Sequence, residues 1–287
     1  MLKLVKAALA EDIGCGDLTS LGCLEPNPVK AVIVAKSSGT VSGIEPLVFV
    51  FKTVDSANRL KLCKRDGDTF EPGDEIVQLD GFNLTILASE RTALNFLGHL
   101  SGIATMTHRF VERIRDYPNC RILDTRKTTP GWRLLEKMAV VHGGGINHRT
   151  GLYDMVLVKD NHIASAGSIK DAVSKMREFL KSREFRAQFD TDAEKILIEV
   201  EVTSEPELTE AIEAKVDRLL LDNQSPESLH NLVSVARRLD PGVKLEASGN
   251  VSLETVASIA ATGVDFISIG AITHSAPVSD FSLRIVG

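Results

Sequence analysis

A chain of 287 residues, 43% hydrophobic and 25% charged, can bury a sizeable core in one large domain or two smaller ones and has an ordinary soluble composition. A formal net charge of −6 argues against a nucleic-acid or anionic-membrane surface as the main partner, while small anions, which respond to local charge, remain open. The cysteines, at positions 15, 23, 63 and 120, form no CxxC pair and have no histidine at metal spacing, so free thiols and a cytoplasmic location are expected. The opening MLKLVKAALAEDIG is interrupted by Lys6 and carries Glu11 and Asp12, unlike a secretory signal. No run approaches the roughly 18 apolar residues of a membrane span.

Residues 2–10 have helical spacing and run into a turn at Gly14-Cys15-Gly16-Asp17. Ala31–Ala35 reads as a strand, Leu47–Val54 as a helix, and Leu60–Cys63 as an exposed strand. Turns at Arg65–Asp68 and Glu71–Asp74 complete the pattern of an antiparallel sheet with a few helices over residues 1 to about 85. Leu84–Gly102 then has Leu87, Arg91, Leu94 and Gly98 at helical spacing, and residues 103–116 read as a further amphipathic helix bearing Ile103, Met106, Phe110 and Ile114. Arg91 by itself is as readily a helix-surface cation as a functional group.

From Arg121 the rhythm changes. Six apolar runs follow: Arg121–Leu123, Met155–Val158, Ile196–Val202, Leu219–Leu221, Lys244–Ala247 and Phe266–Ile269. Helical patterns separate most of them, with start signals at Ser168, Ser204 and Ser225-Pro226. Repeated βα units imply a parallel sheet of six strands, closed or nearly closed into a barrel.

The polar residues that follow these runs are Arg126 and Lys127, then Lys159, Glu201, Asp222-Asn223, Ser248-Gly249-Asn250 and Gly270-Ala271. In a parallel barrel all of them stand at the C-terminal rim, where chemistry sits. The segment Leu123–Ile163 also gathers Arg133, His142, His148, Arg149 and His162 around Gly143–Gly145. Each signal alone is weak: a glutamate at a strand end is more often structural, Ser-Gly-Asn is more often a turn, and His142 and His162 are readily satisfied polar groups. Together they describe a site for an anionic substrate. Arginine and lysine grip carboxylate or phosphate, Glu201 and Asp222 hold Mg²⁺ with substrate phosphate, and small residues let backbone amides approach a phosphate.

The strings ERTALNFLGHLSGIAT (90–105), DTRKTTPGWRLLEKMAVVHGGGINHRTGLYDMVLVKDNHI (124–163), IEVEV (198–202), LLLDN (219–223), EASGN (246–250) and SDFSLRI (279–285) closely resemble the quinolinate phosphoribosyltransferase family, and AEDIGCGDLTS (10–20) fits it as well. The resemblance implies an α/β protein of the type II phosphoribosyltransferase kind. Residues 1–102 would form an α/β sandwich joined by the C-terminal tail 273–287, and residues 103–272 an open, roughly six-stranded α/β barrel. It implies an enzyme that converts quinolinate and phosphoribosyl pyrophosphate to nicotinate mononucleotide, CO₂ and pyrophosphate in de novo NAD biosynthesis. Arg126, His148 and Arg149 would grip the two carboxylates, with Lys159 nearby. Lys127, Glu201 and Asp222 would act catalytically around the ribosyl pyrophosphate and its Mg²⁺, and Thr125 would join the substrate contacts. Ser248, Gly249, Asn250, Ile269, Gly270 and Ala271 would bind phosphate. Arg91 would enter the neighbouring subunit's site, in a homodimer or a hexamer built from dimers. Two departures stand out: residues from about Arg183 to Glu194 lengthen one connection as a surface loop or helix extension, and Trp132 replaces a more usual aliphatic residue.

Within this fold the rival readings are a phosphoribosyltransferase for a monocarboxylate base such as nicotinate and a relative from metal-transport operons. Outside it, Lys159 could be the Schiff-base lysine of a barrel aldolase, or the chain a non-enzymatic binding barrel.

Overall fold

The computed structural model describes residues 1–286. The chain divides into two compact units, one made of Met1–His108, Thr128–Gly145 and the chain from Ala271 onward, the other of Arg109–Lys127 and Ile146–Gly270.

In the first unit, α1 (Leu2–Ile13) buries Val5 and Leu9 and stops at Gly14, whose φ of 54° suits glycine. Helix α2 (Leu18–Cys23) starts at Asp17, whose carboxylate accepts the Thr19 and Ser20 amides. Strand β1 (Pro28–Ala35) precedes the short β2 (Gly39–Thr40) and α3 (Ile44–Val54). Then come β3 (Arg59–Leu62), β4 (Thr69–Phe70) and β5 (Glu75–Phe82). Strand β5 pairs antiparallel with both β1 and β3, and β2 pairs with β4.

Helix α4 corrects one expectation. Residues 84–102 and 103–116 were expected to form two helices, whereas Asn83–Arg113 is one helix of 31 residues, unbroken at the expected domain boundary. A helical glycine costs only about 1 kcal/mol, and the buried face carrying Phe96, Leu97, Leu100, Ile103 and Phe110 offsets it. Gly98 and Gly102 have another reason to be glycine. A Cβ at Gly98 would lie 2.8 Å from the Ser279 carbonyl oxygen, and one at Gly102 only 2.1 Å from that of Pro277. These positions admit the backbone of the C-terminal tail.

After β6 (Arg121–Leu123), α5 (Arg133–His142) belongs with the first unit. Its Glu136 is fully buried and accepts a hydrogen bond from His99 Nε2 (2.8 Å) and from the Thr129 amide (3.2 Å). Trp132 stacks on Phe96 with ring centres 4.6 Å apart and meets His99 edge-on, so the indole is absorbed by aromatic packing.

The second unit continues through β7 (Val156–Val158), α6 (Asp160–Ala166), α7 (Ile169–Lys181) and α8 (Arg183–Gln188). The lengthened connection is therefore α8 followed by a 3₁₀ turn, Ala193–Lys195. Next come β8 (Ile198–Val202), α9 (Glu205–Glu213), β9 (Arg218–Asp222) and α10 (Pro226–Leu239). The unit closes with β10 (Lys244–Ser248), α11 (Val256–Ala260) and β11 (Phe266–Ser268). Ser168, Ser204 and Ser225 cap their helices as their spacing suggests. The six expected runs are the six strands of one parallel sheet, ordered β6-β11-β10-β9-β8-β7. Consecutive strands β6 and β7 lie at opposite edges, so the barrel is open between them.

Register decides which side chains share a face. Glu199 pairs with Arg218, Glu201 with Leu220, Leu220 with Glu246, and Asp222 with Ser248. Side chains alternate along a strand, so all of these project to one side. Val200, Val202, Leu219, Leu221, Leu245 and Ala247 project to the other and are buried. The last elements, α12 (Ala271–His274) and β12 (Phe281–Val286), return to the first unit, where β12 pairs antiparallel with β1 and completes a sheet ordered β12-β1-β5-β3.

Candidate active site

Thr125, Arg126 and Lys127 leave the C-terminal end of β6, where Thr125 Oγ1 accepts the Lys127 amide (3.0 Å) and turns the chain. Lys159 follows β7 and makes a short ion pair with Glu201 of β8. His162, three residues on, accepts the Lys159 amide at Nδ1 (3.0 Å), so this histidine caps α6 and fixes the backbone of Lys159. Asp222 ends β9 and accepts the Asn223 side-chain amide (2.7 Å). Ser248 ends β10 beside it. Gly249 has φ +96°, and a Cβ there would lie 2.1 Å from Asn223 Oδ1, so the turn tolerates only glycine. Asn250 and Asn223 also adopt positive φ, and Asn250 Nδ2 donates to Asn223 Oδ1 (3.3 Å). The Ile269 amide donates to Leu123 O (2.9 Å), which places Gly270 beside the end of β6.

The loop before β7 carries His148 and Arg149. Arg149 Nη1 donates to Met155 O (3.3 Å). Burial and then the nearby positive charge of Arg126 pull the Arg149 pKa below its ordinary value. A guanidinium whose charge is disfavoured by a second guanidinium nearby forms a site that an anion relieves.

Beneath this rim His148 meets Glu199, Arg218 and Glu246, which sequence reading alone did not single out. Glu199 and Glu246 are fully buried. His148 Nε2 lies 3.1 Å from Glu199 Oε2 and 3.4 Å from Glu246 Oε2. Arg218 Nη1 donates to Glu246 Oε2 (3.1 Å), and its guanidinium carbon sits 4.3 Å over the Phe266 ring. Asp124, also fully buried, accepts the His148 amide at 2.8 Å. The available signal was a charged residue on the same strand face as a rim residue: Glu199 beneath Glu201, Glu246 beneath Ser248, and Arg218 beneath Asp222.

Burial opposes a charge on His148, but hydrogen bonds to Glu199 and Glu246 and their negative charge outweigh it and push its pKa up to about 9. Burial first, and then the charge of Glu246, push Glu199 up to about 7 against the pull of His148 and Arg218. The Arg149 amide donates to His148 Nδ1 (2.7 Å), which favours a neutral ring, so two demands on Nδ1 compete. Nε2 carries a proton under either.

His148, Glu199 and Glu246 have ligand atoms within 4.8 Å of one another, but these carboxylates already face Arg218 and the imidazole. We read them as an ion cluster, not a metal centre. Arg91 is exposed on α4 in the first unit. His142, in the same unit, shares a 2.9 Å hydrogen bond with Ser42 Oγ, a satisfied polar contact. The cysteines are all free, three exposed and Cys120 buried, where burial pushes its thiol up to about 12.

Comparison with known proteins settles the kinship. Residues 17–101 match the N-terminal domain of quinolinate phosphoribosyl transferase, and residues 103–284 its C-terminal domain. The chain belongs to the quinolinate phosphoribosyl transferase family. It is 41% identical over 283 residues to a probable nicotinate-nucleotide pyrophosphorylase [carboxylating] of Bacillus subtilis, covering 99% of this chain and 92% of that one. To the Archaeoglobus fulgidus protein of the same description it is 42% identical over 274 residues, covering 94% and 98%. The solved nicotinate-nucleotide pyrophosphorylase of Francisella tularensis superimposes with a TM-score of 0.91 at 40% identity, covering 99% of this chain and 95% of that one.

For this family member the magnesium question turns on Glu201 and Asp222. They project to one side of neighbouring strands and, among the described residues, belong to no three-ligand cluster. Two carboxylates without a dedicated cage suit Mg²⁺, which takes its other oxygens from substrate phosphate and water. No helix among the described residues is long and apolar enough to cross a membrane.

Proposed function

We propose that this chain transfers the phosphoribosyl group of phosphoribosyl pyrophosphate to quinolinate with loss of CO₂, giving nicotinate mononucleotide and pyrophosphate in cytoplasmic de novo NAD synthesis. The observation that carries the substrate reading is the convergence of Arg126 and Arg149 at the rim, with Lys159 at the next strand end. A dicarboxylate needs several fixed cations, and the planar guanidinium binds carboxylate two bonds at a time.

In the reaction the bond from C1 of ribose to pyrophosphate breaks, and the quinolinate ring nitrogen bonds to that carbon. Glu201 and Asp222 would hold Mg²⁺, which when bound neutralises the departing pyrophosphate. Their carboxylates, and Lys127, face the positive ribose and the leaving phosphates. The adjacent ring carboxyl then leaves as CO₂, its electron pair stays on the ring carbon, and a proton takes its place. A rim cation stabilises that transient negative charge. Thr125 joins the substrate contacts, and Ser248 to Asn250 and Ile269 to Ala271 bind phosphate through backbone groups. Arg91, exposed on its helix, completes the site of a neighbouring subunit in a homodimer or a hexamer built from dimers.

The aldolase reading loses support from Lys159 itself, because a Schiff-base lysine must be neutral and this one is paired with Glu201. The deciding experiment supplies quinolinate, phosphoribosyl pyrophosphate and Mg²⁺ to the purified protein, with nicotinate in parallel. Nicotinate mononucleotide and CO₂ from quinolinate alone is the expected result. Turnover of nicotinate instead overturns the reading of the arginines, and no product from either overturns the enzyme reading.

A further inference from the structure

The inside of a parallel barrel is normally filled by branched apolar side chains. Here one layer of it holds Glu199, Arg218 and Glu246, from three neighbouring strands, with His148 reaching them from the loop before β7. None of the three strand residues stands at the rim, and the transfer chemistry uses none of them. Charges buried at such cost call for a reason other than stability.

One guanidinium and one imidazole face the two buried carboxylates. Arg218 sits 3.1 Å from Glu246 and 4.0 Å from Glu199, so one guanidinium serves two carboxylates unequally. The second carboxylate needs another donor, and the His148 Nε2–H lies within reach of both. On its other side the ring accepts the Arg149 amide at Nδ1, and the backbone amide of His148 donates to Asp124. Turning the ring over, or moving its proton to Nδ1, would set a lone pair against two carboxylates.

We propose that Arg218, Glu199 and Glu246 are positioning residues for the quinolinate site, holding the His148 ring in one orientation with a proton on Nε2. The arrangement runs from Arg218 at the start of β9, through the two carboxylates and the imidazole, to the backbone of Arg149. It gives Arg149 a rigid foundation, so a change at the far end of β9 reaches the carboxylate grip without touching substrate. Specificity for a ring diacid then depends on residues that lie wholly inside the barrel. This inference rests on the quinolinate reading for its kinetic consequence but not for its structural one.

Two measurements test it. Nitrogen NMR of ¹⁵N-histidine-labelled, substrate-free protein reads the His148 tautomer directly, with Asp124, which accepts its backbone amide, and Arg149, whose amide faces Nδ1, as its other charged neighbours. Nε2 should remain protonated from about pH 6 to about pH 8.5, and Glu246→Gln should admit the Nδ1–H form. In steady-state kinetics, Glu246→Gln and Arg218→Met should raise KM for quinolinate about tenfold and change KM for phosphoribosyl pyrophosphate less than about twofold, with Arg218→Lys recovering much of the loss. An unprotonated Nε2 in the unsubstituted protein overturns the proposal, as do equal shifts in both KM values or no shift in either for a variant that still melts cooperatively. Absence of quinolinate turnover by the unsubstituted protein would instead sink the functional reading and leave the NMR result standing.

Discussion

Lys159 and Glu201 meet across the β7–β8 edge of the barrel, each the first charged group beyond or near the end of its strand. Lys159 is the more open partner, 44% exposed at its side chain against 14% for Glu201. The pair holds the two side chains against each other, and on the proposed reading incoming substrate divides them, Lys159 to a carboxylate and Glu201 to the metal. Lys159→Ala and Glu201→Gln should each lower kcat/KM by about 10²-fold. The double variant should lose less than the product of the two, because a contacting pair couples by about 0.5–3 kcal/mol. Strict multiplicativity in a double-mutant cycle would show that the contact has no functional weight.

Arg126→Ala removes one of two converging guanidinium groups and should cost about 10²-fold or more in turnover of quinolinate. Arg126→Lys should recover little, since an ammonium cannot offer two parallel bonds to a carboxylate. Near-normal steady-state kinetics for Arg126→Ala contradicts the assignment.

Metal dependence gives a third check. Removing Mg²⁺ with a chelator should abolish turnover, and adding it back should restore it. Asp222→Asn should raise the Mg²⁺ concentration needed for half-maximal rate at least several-fold, because it removes one of the two carboxylates proposed to hold the ion. Full activity in chelator refutes the role given to Glu201 and Asp222.

Stability should fall as the pH rises from about 6 to about 9.5. Where the ring takes its second proton at Nδ1 in place of the Arg149 amide, the pKa of His148 rises on folding from 6.5 to about 9, so this contribution is complete below 6.5 and is lost as the pH passes through about 9. Glu199, raised from 4.5 to about 7, has the same sign, because the folded state holds a proton that the unfolded chain has released. The depressed carboxylates of Asp154 and Asp265 act in the opposite sense, and only in the acid range. The His148 contribution is at most about 3 kcal/mol. Thermal melting across this range should show Tm falling, with a flatter profile for His148→Gln. A Tm that rises toward pH 9.5 contradicts the cluster's charge state.

Gly249→Ala tests the turn proposed to bind phosphate. The positive φ and the 2.1 Å approach to Asn223 Oδ1 leave no room for a methyl group. The substitution should cost about 1–3 kcal/mol in stability and raise KM for phosphoribosyl pyrophosphate more than KM for quinolinate. Unchanged melting and kinetics would show that the turn relaxes freely.

Much of this was legible in the residues themselves. Six apolar runs each bounded by polar residues became six parallel strands, because a strand buried on both sides must be apolar over a short span and can turn polar only where it emerges. The rim residues Lys159, Glu201, Asp222 and Ser248 follow from that alternation, and the quoted motif strings carried the family. The unity of α4 was not legible, since Gly98 and Gly102 look like interruptions until the tail carbonyls they admit are seen beside them. Nor were the partners of His148. Glu199, Arg218 and Glu246 are far apart in the chain and read singly as ordinary strand charges. Only strand register sets them on one face, and only burial forces them to satisfy one another, because without water a carboxylate must find its proton or its cation within the fold.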